Sequence, residues 1–338
     1  MRYSHQTFAT AFVILLAATG ARSSQAQYVL RTIDVPGAAS TYLQSNNDAA
    51  AIVGCDDVAG FASDNVSFLL IQGVVIPFGY PGSQSTCAVG NSNSGEITGS
   101  FLDQSGVRHG FSLCGKSHTT IDYPGAVFTV ASVANMSGIV VGYYYDGSAF
   151  HGFELQGGVF SNIDPPGAVS SIAGAINDSG QVAGIYTLAS GATQGYLLSS
   201  GIFTPIDFPG AASINALSLN GSGQIVGIYT DGSGVRHGFT DFGGVFSSFD
   251  YPGAASTELY SINDSGQLVG DWFGPLGYPD GHGFLATPVN GPNGPTSGSA
   301  PMCAIPQNAL EPSDDDAGLP GPGHAAEPAA QHRKRRGH

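Results

Sequence analysis

Apolar residues in this chain come in short runs cut by turn-forming residues. In its last third the runs Thr257–Ile262, Gln267–Trp272 and His282–Ala286 each have the length of a strand. Asn263-Asp264-Ser265-Gly266 separates the first two; Asn and Asp side chains bond the local backbone, and Gly accepts a positive φ. Upstream, Gly243-Gly244 divides two further runs as a two-residue hairpin turn. Phe239 and Phe246 fall on one face of that hairpin, Val245 and Phe249 on the other. Apolar residues on both faces predict a sheet covered on its two sides.

The pattern repeats. Pro-Gly recurs with its Pro at 36, 81, 124, 166, 209 and 252. The Gly ending Val-Val-Gly-like triplets falls at 54, 99, 142, 184, 227 and 270, so both landmarks keep spacings of 45, 43, 42, 43 and 43. Four strands in about 43 residues is the blade period of a β-propeller. The sixth unit lacks its fourth strand, yet Tyr28–Ile33, followed by Asp34-Val35-Pro36-Gly37, matches the missing piece. The chain is therefore expected to be all-β, a six-bladed β-propeller of four-stranded repeats over residues 27–288. The N-terminal strand would close the ring, with Ile33 alongside Phe284, and so remove an exposed edge. An open solenoid would not need that strand.

The flanks read differently. Arg2, the apolar run Phe8–Ala21 and Ser24-Gln25-Ala26 form a secretory signal peptide over residues 1–26, too short to span a membrane. Residues 289–338 are rich in Pro, Gly, Ser and Asp and end in Arg333-Lys334-Arg335-Arg336; such a tail is expected to be disordered. The product is expected to be a secreted or surface monomer with no membrane span.

Composition excludes some roles. Charged residues make up 10% of the chain and Gly 50 of its 338 residues, which suits strands and tight turns better than helices. The repeat region carries four basic residues, Arg31, Arg108, Lys116 and Arg236, against 20 acids. Nucleic-acid binding rests on cations that neutralise phosphates, so that partner is excluded, and anionic membranes are equally poor ones.

One repeat column reads Val66, His109, His151, Gln194, His237 and His282. Thirteen residues on stand Gly79, Asp122, Asp164, Asp207, Asp250 and, through closure, Asp34. In the fifth unit the midpoint of 237 and 250 coincides with the Gly243-Gly244 turn, so His and Asp face each other across two strands. A catalytic pair is normally unique, whereas this one recurs; the favoured reading is a structural cross-strand pair. The first unit loses both members together.

The units Ile-Asn-Asp-Ser-Gly-Gln-Val-x-Gly and His-Gly-Phe resemble the HAF-type extracellular repeat of bacterial proteins, named for a His-Ala-Phe triplet. Gly152, Gly238 and Gly283 stand in place of the central Ala. The resemblance covers Tyr28–Pro288. It implies an exported bacterial protein of unassigned activity and supplies no catalytic residues.

Gly110–Ser117 satisfies the phosphate-loop pattern, but Gly115-Lys116 occupies the hairpin slot and no helix follows, so a nucleotide site is declined. Asp103, Asp146 and Asp231 in the loops between second and third strands could hold calcium, although turn chemistry explains them more simply; no cofactor is expected. Of Cys55, Cys87, Cys114 and Cys303, a bridge between Cys55 and Cys87 on adjacent blades is preferred, with the full pairing open. Function is sought where the repeat breaks. Trp272, Tyr278 and Asp280 in the lengthened loop of the sixth unit, with Asp56 and Asp57 of the first, would suit a sugar or a peptide with a positive end. The favoured role is a binding module using one propeller face for a carbohydrate or protein ligand. The alternative is a propeller hydrolase or lyase acting on glycans, which would need a non-repeating acid/base pair near the central channel, and the sequence shows none.

Overall fold

The computed structural model describes residues 28–58, 65–275, 281–289 and Cys303. It is a six-bladed β-propeller: six antiparallel four-stranded sheets around one axis, each built from consecutive strands except the last. In blade 6 the strands Ser256–Ile262, Leu268–Phe273 and Gly281–Pro288 are completed by Tyr28–Ile33. The closing register sets Thr32 opposite Phe284 and Ile33 opposite Gly283, one rung from the expected partner.

Local chemistry explains the blade. Each first strand ends in an Asn- or Ser-led turn whose fourth residue takes a positive φ. That residue is Gly at 95, 138, 180, 223 and 266, and Ala50 in blade 1. Five of the turns reach the next around the axis. The side-chain amides of Asn135, Asn177, Asn220, Asn263 and Asn47 each donate to the leading carbonyl of the following turn, at 3.0–3.4 Å. The recurrent triplet Gly of the second strand has a different cause. A Cβ at Gly227 would lie 1.9 Å from the Asn215 carbonyl and 2.9 Å from the Phe239 ring, so only a bare Cα fits beneath that ring.

The core lies between blades. Ala175 and Ala183 of blade 4 pack with Ile214, Ile225 and Phe239 of blade 5, and equivalent clusters fill other seams. Burial on both sides holds for the inner three strands. The fourth strand is covered only in part: Phe249 packs on Tyr28 and Phe284 of blade 6, whereas Val245, beside the hairpin turn, is 72% exposed, so the expectation of a covered face fails at that end.

Two disulfides are present. Cys55–Cys87 ties blade 1 to blade 2, and Cys114–Cys303 fixes the chain beyond the propeller to blade 2. Within the tail, Cys303 is buried and its amide donates to the Ser94 carbonyl at 2.8 Å. Both bridges fit an oxidising, extracellular compartment. No helix among the described residues is long and apolar enough to cross a membrane.

Candidate functional site

Each blade has a turn face, carrying the Asn-led turns and the hairpins, and a loop face, carrying the longer loops and the Pro-Gly connections. On the loop face one residue from each strand forms a row. In blade 6 the row is Thr257, Trp272, His282 and Asp34; in blade 3 it is Thr129, Tyr144, His151 and Asp164. His237 Nδ1 lies 2.7 Å from Asp250, and its Nε2 lies 3.5 Å from Asp231 of the adjoining loop. His109 stands likewise between Asp122 and Asp103, at 3.0 and 3.5 Å, and His151 between Asp164 and Asp146, at 3.3 and 3.4 Å.

The loop carboxylates are engaged by their own loops. The Ser233 hydroxyl, then the Val235 and Ser233 amides, hold Asp231 down at about 2, and Ser105 and Val107 do the same for Asp103. Among the described residues no group of three acids, histidines or cysteines could hold a metal ion. The stretch Gly110–Ser117 is a β-hairpin whose Cys114 is disulfide-bonded.

A ring extends each of four rows. The aromatic residue before Pro-Gly stacks on the second-strand ring of the next blade. Tyr80 lies 3.8 Å from Phe101, Tyr123 3.7 Å from Tyr144, Phe208 4.0 Å from Tyr229, and Tyr251 5.0 Å from Trp272, all within 9° of parallel. Trp272 also stacks on His282 at 4.4 Å, so it is a rung of this ladder rather than an open platform. Tyr278 and Asp280 lie outside the described residues. Asp56 and Asp57 belong to the second strand of blade 1, where the backbone places Asp56 in the column of the ladder rings.

The axis carries a different chemistry. Every first strand has a β-bulge, and five of the extra residues (Gln44, Val89, Gly174, Leu217 and Tyr260) line an axial cavity of about 90 Å³. Bulges re-aim side chains in this way. At the turn-face mouth, Asp48 accepts hydrogen bonds from the Asp264 amide and the Asn93 side chain. Burial, and the carboxylates of Asp264 and Asp178, raise Asp48 to about 6. A carboxyl raised in the folded state stabilises it while protonated, and that contribution is lost as pH climbs from about 4 to about 6. Asp48→Asn is expected to flatten the fall of the unfolding temperature across this interval; an unchanged slope would assign it elsewhere.

Behind Tyr260 lies a non-repeating acid pair that the sequence reading overlooked. Glu258 and Asp271 are cross-strand partners in blade 6, and both are buried. Glu258 accepts from Arg236 and from the Tyr260 hydroxyl. Asp271 accepts the Leu43 amide at 3.0 Å across the closure, and burial pushes its carboxyl well up. Their columns show the signal: Asp271 is aligned with Ile185 and Ile228, Glu258 with Val130 and Ile172. The pair is buried at the seam of blade 6, held by Arg236, Tyr260 and the Leu43 amide.

The open irregularity lies between blades 3 and 4. Phe128, Tyr145 and Phe150 form an aromatic row across blade 3 at the loop face, with Tyr143 beside Phe150 at 5.9 Å. Phe128 stands in a column that otherwise reads Ser40, Ser85, Ser170, Ser213 and Ser256. Phe150 is partly exposed, and its amide donates to Ser170 of blade 4. Beyond Ser170, the connection Asp164-Pro165-Pro166-Gly167 has proline where four other connections carry a ring. There a hollow of about 420 Å³ opens, walled by Pro165, Pro166, Tyr186, Tyr196, Ile202 and Phe203.

No protein-family model matches the chain, nor does any curated protein. Among solved structures it is similar to AofleA from Arthrobotrys oligospora, at 12% identity and a TM-score of 0.47, over 71% of this chain and 82% of that one. It is similar to a six-bladed propeller lectin from Aleuria aurantia, at 10% identity and a TM-score of 0.44, over 75% and 98%. A subtype N11 neuraminidase-like protein of a flat-faced bat influenza virus gives 12%, 0.42, 77% and 93%. Likeness of this degree says nothing of a ligand for this chain.

Proposed function

We propose that this chain is a binding module, exported as the HAF-type resemblance implies, which engages its ligand with the loop face at the seam of blades 3 and 4. The observation that carries this reading is the concentration of open aromatic surface where the repeat breaks. The row Phe128–Tyr145–Phe150 and the neighbouring hollow present flat apolar walls. Such walls recognise ring-bearing ligands by stacking, whether carbohydrate or polypeptide. The acid pair in blade 6 is closed off by Arg236, Tyr260 and the Leu43 amide, so nothing specific favours a glycan-cleaving enzyme.

The test is retention of the full secreted chain on immobilised glycan and peptide panels. Phe128→Ser with Phe150→Thr installs residues that blade 4 carries at the same positions, Ser170 and Thr193, and so spares the fold. We expect the variant to lose at least about tenfold in retention, since stacked rings each contribute on the order of 1 kcal/mol. Equal retention of variant and parent would remove blade 3 from the site.

A further inference from the structure

We infer that the hollow of blade 4 is a receptor for an aromatic side chain carried on a basic polypeptide segment. This rests on the reading of the blade 3–4 seam as the binding face, and it names the ligand.

The occupant is specified by the sister blades. In blade 5 the ring of Phe208 is enclosed by Tyr229, Phe239 and Phe246, at centroid distances of 4.0, 6.1 and 5.4 Å. In blade 3 the ring of Tyr123 is enclosed by Tyr144, Phe153 and Phe160, at 3.7, 6.2 and 5.0 Å. Blade 4 builds the same three walls, with Tyr196 lying 6.3 Å from Tyr186 and 5.4 Å from Phe203. Its connection then supplies Pro165, a smaller, non-aromatic residue, in the place of the ring. What remains is a cage whose counterparts in the same molecule each hold a Tyr or Phe side chain.

Polar chemistry separates a side chain from a sugar. The Tyr186 hydroxyl donates to Gln194 at 2.7 Å and the Tyr196 hydroxyl to the Ile172 carbonyl at 3.2 Å; apart from Gly201, the other walls are the side chains of proline, isoleucine and phenylalanine. A saccharide placed there would leave its hydroxyls poorly matched, whereas an aromatic ring would not.

Charge fixes the flank. Blade 4 carries Gln194 where blades 2, 3, 5 and 6 pair His with Asp, and the Gln amide oxygen is taken by Tyr186. Asp207 of that row is exposed, and its carboxylate makes no ion pair or hydrogen bond among the described residues. It continues the alternation of Phe203 and Pro205 along the outer strand, so it falls on the face that carries the wall of the hollow. A Lys or Arg beside the docked ring would meet this carboxylate, and the net charge of −15 draws cationic segments toward the protein.

The test uses the full chain and a set of Gly/Ser-based peptides. Each carries one Tyr, Phe or Trp flanked by Arg or by Gln, and neutral oligosaccharides form a parallel arm. Arg-flanked aromatic peptides are expected to bind, and more weakly as salt rises. Pro165→Tyr recreates the Asp-Tyr-Pro-Gly of Asp122–Gly125 and fills the cage from within. It should cost at least about tenfold in peptide affinity while keeping or raising the unfolding temperature. Phe203→Ala, which removes a wall instead, should weaken the same peptides, and Asp207→Asn should abolish the preference for Arg over Gln. Peptide binding unchanged in Pro165→Tyr, or absent from the parent, overturns the inference. So does a neutral oligosaccharide that binds the parent and is displaced by Pro165→Tyr, an outcome that leaves the seam standing as a binding face.

Discussion

A chain lacking Tyr28–Ile33 is expected to lose its cooperative unfolding transition altogether. The deletion strips the outer strand from blade 6 and leaves Gly281–Pro288 as a bare edge. It also removes Tyr28, Leu30 and Ile33, which pack on the clusters at the two sides of the closure. At about 1.5–3 kcal/mol for a fully buried side chain, buried Ile33 and half-buried Tyr28 and Leu30 together come to roughly 4 kcal/mol, a large share of the whole stability of an ordinary domain. Circular dichroism during heating should show a broad drift in place of a single transition. A peptide spanning Tyr28–Val35, added in trans, should restore the transition by adding back the strand. A truncated chain that still melts sharply, near the temperature of the parent, would show that the first strand does not hold the ring.

The second large effect is expected from one methyl group. Gly227→Ala places a Cβ 1.9 Å from the Asn215 carbonyl and against the Phe239 ring, so the inner strand or that fully buried ring has to move. Overpacking of this kind should cost about 3 kcal/mol or more. Gly232→Ala is the control: a Cβ there meets nothing within 4 Å, and its effect should stay within about 0.5 kcal/mol. Urea unfolding of the two variants beside the parent measures both. Similar small losses in the two would mean that the recurrent glycine is not held by this contact.

That glycine shows how much of the architecture could be read from the sequence. Its column and the Pro-Gly column set the blade count, and the truncated sixth unit pointed to the strand that completes it. Those features survive translation into three dimensions because each is local or repeats at a fixed interval. The His and Asp columns were legible for the same reason: a two-residue turn fixes which residues of a hairpin stand opposite.

The candidate site was harder to find. Trp272 attracted attention as the single tryptophan of the chain, but its role is set by Tyr251 and His282, which come from other strands and connections. The hollow of blade 4 depends on an absence, a proline in a column of rings. That absence means something only once Tyr80, Tyr123, Phe208 and Tyr251 are seen stacked in their cages. The row Phe128–Tyr145–Phe150 needs the register of three strands, which spacing alone does not supply. Glu258 and Asp271 lie in segments read for their apolar runs, and they come together only through the register of two strands in blade 6.

Native-state hydrogen exchange tests the central claim most directly. If the first strand completes blade 6, the protected amides of Tyr28–Ile33 should exchange with the same opening free energy as those of Gly281–Pro288, because both are released only when the ring opens. Exchange of Tyr28–Ile33 on the timescale of a free terminus, with Gly281–Pro288 still protected, would contradict it.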